Sequence, residues 1–77
     1  MNNYVNIGGN SNIKGYENGA VDGEFYIQVE FADGSTYLYN EQSCGKHLVQ
    51  EMQSLAVSGK GLNSFISRNK PKYQSKS

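Results

Sequence analysis

The stretch EFYIQVEFADGSTYLY, residues 24–39, decides the fold. In its first half, apolar side chains alternate with polar ones or tyrosine at the period of two that places them on opposite faces of a strand. The apolar set is Phe25, Ile27, Val29 and Phe31. Asp33-Gly34 follows, between two alternating runs, and this dipeptide favours the positive backbone φ angles of a two-residue type I′ turn. We therefore predict a β-hairpin over 24–40.

A two-residue loop fixes the register of this hairpin. It pairs Val29 with Leu38 on the core face, Glu30 with Tyr37 and Gln28 with Tyr39 on the other face. Three tyrosines then share that second face: Tyr26, Tyr37 and Tyr39. Tyrosine is enriched at interface hot spots, so this patch is a predicted protein interface. The alternative is that the rings shield the outer face of the sheet or lie under the N-terminal arm.

The N-terminal part contributes less to the predicted fold. Residues 1–10 are rich in asparagine and glycine and predict a flexible arm, or an edge strand through the alternating Val5 and Ile7. A short strand is predicted over 13–16. Asn18-Gly19 and Asp22-Gly23 then predict two turns within a loop.

The C-terminal part has the period of a helix. From Gln42, an apolar stripe recurs at four, four and three residues, and its members are Cys44, Leu48, Met52 and Leu55. Ser43 is the predicted N-cap, and Gly59 and Gly61 end the helix. A second helix, with Asn63 as its cap, begins near Leu62 and ends before Pro71. Tyr73 is expected to pack back on the domain, and residues 74–77 to fray.

These elements define an α+β fold in which a small antiparallel sheet packs against two C-terminal helices. The sheet consists of the hairpin and a short N-terminal strand. The 77 residues make one domain over 11–73, flanked by the arm at 1–10 and a frayed tail at 74–77.

Charge is unevenly distributed along this neutral chain. Every acidic residue lies between positions 17 and 51, whereas residues 52–77 carry five cations and no acid. A Gly-Lys-Gly turn before a helix and a run of cations around a tyrosine are typical of phosphate, nucleotide or nucleic-acid binding. The predicted site comprises Lys60, Gly61, Asn63, Arg68, Lys70, Lys72 and Tyr73, with Lys76 as a further cation. The alternatives are a simple helix-to-helix turn and solvated terminal charges.

Catalysis, metal binding and cofactors are not expected. Cys44 is the single cysteine, so it forms no intrachain disulfide, and with His47 it supplies too few ligands for zinc. A Cys44–His47 nucleophile lacks a third residue, and Cys44 continues the apolar stripe. No apolar run is long enough for a membrane span and no secretory signal is visible, so we expect a cytoplasmic protein.

Residues 11–73 resemble the KTSC domain family, small modules attached to some lysyl-tRNA synthetases and also found alone in bacteria and phages. The resemblance rests on SNIKGY at 11–16, FADG at 31–34, TYLY at 36–39, SLAVSGKG at 54–61 and LNSFISRNKPKY at 62–73. The sequence departs from the family at NEQSCGKH, 40–47, where a Val-Pro step is common. The resemblance implies a β-hairpin followed by helices and no known catalysis.

We therefore expect a non-enzymatic binding protein, encoded by a phage or mobile element, with a homo-oligomer as one of its forms. It would bind a host protein complex or sequester a phosphate-bearing ligand, in either case as an inhibitor of host defence. The alternative function is a nucleic-acid-binding accessory domain for RNA or DNA, which attachment to a tRNA synthetase suggests.

Overall fold

The computed structural model describes residues 2–5 and 12–77. Their strands and helices are β1 (Asn2–Asn3), β2 (Ile13–Val21), β3 (Glu24–Phe31), β4 (Thr36–Asn40), α1 (Glu41–Cys44), α2 (Lys46–Ser58), α3 (Leu62–Asn69) and β5 (Ser75–Lys76). The strands form one antiparallel sheet in the order β1-β2-β3-β4-β5. The α+β class and the order of sheet before helices are confirmed. No helix in these ranges has both the length and the apolar character needed to cross a membrane.

The type I′ turn lies at the first hairpin, between β2 and β3. Asp22 and Gly23 have φ angles of 53° and 82°, and Val21 pairs with Glu24 across them. Both central residues of a type I′ turn need positive φ, so this loop is the two-residue turn. The predicted loop in this region is wrong: Asn18-Gly19 lies inside β2, which runs to Val21.

The second hairpin has a longer loop than the sequence predicts. Gly34 has φ 91°, but Asp33 is not among the described residues with positive φ. The amide of Gly34 donates to the carbonyl of Phe31 at 2.9 Å, and that of Phe31 to the carbonyl of Ser35 at 2.8 Å. These bonds enclose Ala32–Gly34 in a three-residue loop with a left-handed glycine at its end. The predicted type I′ turn at Asp33-Gly34 is therefore wrong.

The extra loop residue shifts the register of β4 by one. Val29 pairs with Tyr37, Ile27 with Tyr39, and Gln28 with Leu38. Because side chains alternate at a period of two, this single step turns the whole strand over. Tyr37 and Tyr39 point to the side of the helices, and Leu38 takes the outer face that the tyrosines were predicted to occupy.

The helices cover one face of the sheet and enclose the core. The buried side chains are Tyr4, Ile13, Ile27, Val29, Tyr39, Val49, Met52, Ala56 and Leu62. Three of them, Val49, Met52 and Ala56, lie on α2. This spacing of three and four residues is the apolar stripe that docks a helix on a sheet.

The helix ends differ in detail from the predicted caps. Asn40 caps α1, accepting from the amide of Ser43, while the Ser43 hydroxyl accepts from the amide of Asn40 in a capping box. Ser43 is thus the third helical residue and not the cap. Gly45, with φ 89° and ψ 153°, separates α1 from α2. This break falls in the segment where the sequence departs from the KTSC pattern.

The C-terminal helix begins and ends on left-handed residues. Gly61 (φ 89°) precedes α3, so Asn63 lies within the helix and is not its cap. Gly59 ends α2 in left-handed geometry, as predicted. Lys70 ends α3 at φ 45°, directly before Pro71, and a proline disfavours helical geometry in the residue that precedes it.

Both ends of the described chain join the sheet. Asn2 and Asn3 pair with Tyr16 and Gly15 as an edge strand. The predicted edge strand ran through Val5 and Ile7: Val5 follows β1 and is 71% exposed, and Ile7 lies outside the described residues. Ser75–Lys76 pairs with Tyr37–Leu38 of β4. The tail at 74–77 therefore does not fray.

Candidate functional site

A groove opens between the β3–β4 hairpin and α3, on the helix side of the sheet. Its volume is about 500 Å³, and its lining residues are Asn12, Phe31, Ala32, Asp33, Ser35, Tyr37, Tyr39 and Ile66. We call it the aromatic groove. The size is within the range of small-molecule sites, and an apolar lining with a few polar groups is their usual composition.

Tyr37 lies at the centre of the rings in this groove. Phe31 meets it edge to face with ring centres 5.2 Å apart, and Tyr73 does so at 4.9 Å. Tyr39 stacks nearly parallel to it, at 6.3 Å and an interplanar angle of 12°. Tyr73 is 50% exposed, whereas Tyr39 is 3% exposed. Tyr73 is therefore the solvent-exposed ring of this cluster, whereas Tyr39 belongs to the core.

Burial has a chemical effect on Tyr39. Loss of water around the phenol raises its pKa to about 12, with a further contribution from the neighbouring Tyr37. The hydroxyl of Tyr39 therefore stays protonated at any physiological pH.

A cation lies on the central ring. Nζ of Lys76 is 5.2 Å from the centre of the Tyr37 ring, within the range of a cation–π contact. A hydrogen bond with Tyr37 is the largest cause of the raised pKa of Lys76, and the charge of Asp33 adds to it. Lys76 reaches this position because β5 pairs with β4, with Tyr37 as its partner.

The hairpin loop places a carboxylate at the groove. Oδ1 of Asp33 accepts from the amide of Ser35 at 2.9 Å and from its hydroxyl at 2.6 Å. These bonds, and then the charge of Lys76, lower the pKa of Asp33. The groove therefore carries both an anion and a cation beside its aromatic rings.

The predicted phosphate-binding residues separate into two groups. Arg68, Lys70 and Lys72 are exposed and lie in the segment between Ile66, which lines the groove, and Tyr73, which contacts Tyr37. The groove lining includes none of these three cations, whereas Tyr73 and Lys76 lie beside the groove through their contacts with Tyr37. We call Arg68, Lys70 and Lys72 the cationic segment.

The second group, Lys60, Gly61 and Asn63, lies at the opposite end of α3. An eight-residue helix spans about 12 Å at 1.5 Å per residue, so these residues do not join the first group. Two of the amides that an anion would need are already engaged. Leu62 donates to the hydroxyl of Tyr4 at 3.3 Å, and Lys60 to the hydroxyl of Ser58 at 3.4 Å.

The predicted tyrosine patch does not form. Tyr26 lies on the outer face, where its hydroxyl donates to Oε2 of Glu17 at 2.9 Å, while Tyr37 and Tyr39 face the helices. That bond raises the pKa of Tyr26. The outer face also has a shallow depression of about 490 Å³, which three carboxylates line together with Tyr26 and Leu38. The carboxylates are Glu17, Asp22 and Glu24.

Cys44 and His47 do not form an activated pair. Sγ of Cys44 donates to the carbonyl of Asn40 at 3.6 Å, and burial raises the pKa of its thiol. A nucleophilic cysteine needs the opposite shift. Gly45 separates the two residues into different helices. Among the described residues, no group of three or more His, Cys, Asp or Glu side chains is placed to hold a metal ion.

The sequence analysis did not assign six groove residues to a site: Asn12, Phe31, Ala32, Asp33, Ser35 and Ile66. Phe31 was placed in the apolar set of a strand, and Asp33 in a turn. The register of β4 would have found Phe31, because it places Tyr37 on the helix side, edge to face with Phe31. Tyr4 was also missed, although it is 7% exposed and bonds to α3.

Comparisons with protein families, with curated proteins and with solved structures found no match to this chain. The likeness to the KTSC domain stays a prediction from the sequence.

Proposed function

We propose that this chain is a non-enzymatic binding protein that holds a nucleobase carrying a phosphate in the aromatic groove. The observation that carries the proposal is the placement of Tyr73 and Lys76 on the ring of Tyr37. An exposed aromatic ring stacks on a base, and nearby cations neutralise the phosphate. The cationic segment is exposed and precedes Tyr73 in the chain, which supports a phosphate-bearing ligand.

The proposal favours a phosphate-bearing ligand over a host protein complex. The protein-interface prediction depended on a flat patch of Tyr26, Tyr37 and Tyr39, and these residues lie on two faces of the sheet. A concave groove of about 500 Å³ instead suits a ligand of nucleotide size.

Two sources can supply this ligand: a free nucleotide or an unpaired nucleic-acid strand. In the first case the protein sequesters the nucleotide. A phage protein that does so would block a host defence that depends on that nucleotide. In the second it is a nucleic-acid-binding accessory domain, as the resemblance to synthetase-attached domains implies. Both sources present the same ring and phosphate to the groove.

Direct titration separates these sources. Binding of nucleoside monophosphates and of short unstructured RNA is measured by calorimetry or fluorescence anisotropy at low and high salt. We expect binding that weakens as salt rises, because cation–phosphate contacts release counterions. A strand ligand gives a steeper salt dependence than a mononucleotide, because it contacts more of the cations. Salt-independent binding, or no binding of either ligand, contradicts the proposal.

Two variants locate the site. Tyr73→Ala removes the exposed ring, and the triple variant Arg68→Glu, Lys70→Glu, Lys72→Glu reverses the cationic segment. Each should weaken binding, by about tenfold or more for the lost stacking contact. Lys60→Glu is the control for Lys70→Glu alone, since each single reversal makes the same charge change at opposite ends of α3. Equal losses in these two single variants would show that only net charge matters.

A further inference from the structure

We infer that the aromatic groove prefers guanine to other bases, with Asp33 as the residue that selects it. This inference rests on the proposed function and names the ligand class for the same site. Asp33 lines the groove beside Phe31 and Tyr37. A base that stacks against the aromatic rings there brings its polar edge toward the hairpin loop.

The carboxylate of Asp33 is held in place and is an acceptor only. The amide and hydroxyl of Ser35 both donate to Oδ1, at 2.9 and 2.6 Å, which restricts rotation of the side chain. An ionised carboxylate has about four acceptor positions and no donor. Since Ser35 takes two of them, capacity remains for a ligand that presents donors.

Guanine is the base whose edge fits such a group. Both Ser35 donors are on Oδ1, so the two acceptor positions that remain are on Oδ2. The N1–H and N2–H₂ of guanine point in the same direction, so both can donate to Oδ2. Adenine offers a single amino group beside an acceptor nitrogen, and uracil places its one N–H between two carbonyls. Hypoxanthine keeps N1–H but lacks the N2 amino group. Two charge-assisted bonds to Oδ2 are more selective than one.

Charge sets the direction of the ligand. Asp33 repels a phosphate, so we place the phosphate away from the hairpin loop, on the side of Tyr73, where exposed cations precede that ring in the chain. Lys76 interacts with both Asp33 and Tyr37. The base edge and the phosphate are thus recognised by different residues, and each can be changed without the other.

Affinity for GMP, IMP and AMP tests the inference, with the dinucleotides GpU and ApU as the strand arm. We expect GMP to bind about tenfold more tightly than IMP or AMP, the factor that one charge-assisted hydrogen bond supplies. If the natural ligand is a nucleic-acid strand, GpU should bind more tightly than ApU. Asp33→Asn keeps an oxygen for Ser35 but replaces the second acceptor with a donor, so it should abolish the preference, and GMP, IMP and AMP should then bind equally tightly.

The control is Asp22→Asn, the same change in the other hairpin, which should keep the guanine preference. Thermal melting confirms that both variants fold. Equal affinity for GMP, IMP and AMP overturns the inference and leaves the proposed function standing. An equal loss for all three in Asp33→Asn also overturns it, since Asp33 would then only shape the loop. Binding of no nucleotide or dinucleotide overturns both.

Discussion

Nζ of Lys76 in β5 lies 5.2 Å from the centre of the Tyr37 ring in β4. The two residues are far apart in the sequence. The contact exists because Ser75–Lys76 adds to the sheet beside β4. It joins two features that are separate in the sequence, the TYLY motif and the C-terminal cations.

Replacing Lys76 with glutamine should weaken nucleotide binding about three- to tenfold, the loss expected for one exposed cation–π and phosphate contact. The change keeps a side chain of similar length that still covers the ring. Isothermal titration with a nucleoside monophosphate gives the comparison. Lys60→Gln is the control, because it removes the same charge on the other side of α3. If Lys76→Gln and Lys60→Gln bind the nucleotide with equal affinity, Lys76 does not contact the ligand.

Tyr4→Phe should destabilise the fold by about 1–2 kcal/mol, because it leaves a buried amide without its partner. The Tyr4 hydroxyl accepts from the amide of Leu62, and both side chains are buried. Urea denaturation measures the change. Tyr73→Phe, which removes a hydroxyl from a half-exposed ring, should stay within about 0.5 kcal/mol of wild type. An equally small effect at Tyr4 would mean that the first residues do not hold α3.

Gly19→Ala should displace the Tyr26 ring. A Cβ on Gly19 would lie 2.6 Å from Cε2, Cζ and Oη of Tyr26, so the ring must move and its hydrogen bond to Glu17 breaks. We expect a small loss of stability, measured as a lower urea-denaturation midpoint, because the hydroxyl loses its partner. In the Tyr26→Ala background the same change should cost nothing or stabilise the strand, since alanine orders a strand better than glycine. Equal effects in both backgrounds would rule out this contact.

Stability should fall as the pH rises from about 10 to about 12. Burial raises the pKa of Tyr39 from 10.0 to about 12, so the unfolded chain releases this proton first. The stability that the neutral phenol provides is complete below the unfolded pKa and is lost as the pH approaches the folded one. Tyr39→Phe removes the titrating group and should flatten the decline in urea-denaturation free energy across this window. A decline of equal slope in the variant would contradict this assignment.

The regular elements could be predicted from periodicity, because burial on one face repeats at fixed intervals. The alternation in residues 24–31 became β3 without change, and the stripe through Met52 became α2. Tyr4 gave no such signal, because its partner Leu62 lies at the other end of the sequence.

The register of the second hairpin could not be predicted from local sequence. Asp22-Gly23 and Asp33-Gly34 are the same dipeptide, yet one forms a two-residue and the other a three-residue loop. In TYLY both possible faces are apolar, so alternation does not identify the core side. Tyr39 is only 3% exposed, so the face that carries it is the core face. This burial depends on the helices that cover the sheet, which the local sequence does not reveal.

The residues predicted to bind phosphate do not all lie together, for a related reason. Closeness in sequence grouped Lys60 with Arg68 and Lys70, but α3 holds them at its two ends. The sequence also gave no sign that the Tyr73 ring packs on Tyr37.

Two-dimensional NMR of isotope-labelled protein, titrated with GMP, locates the proposed nucleotide in the molecule, because it reports the position of the ligand and not only its affinity. If a nucleobase with a phosphate occupies the aromatic groove, the amide signals of Ser35, Tyr37 and Tyr73 shift saturably, and those of Glu17 and Val21 on the outer face do not move. Shifts centred on the outer face or on the turn at Lys60, or no saturable shift at all, would show that the groove is not the binding site.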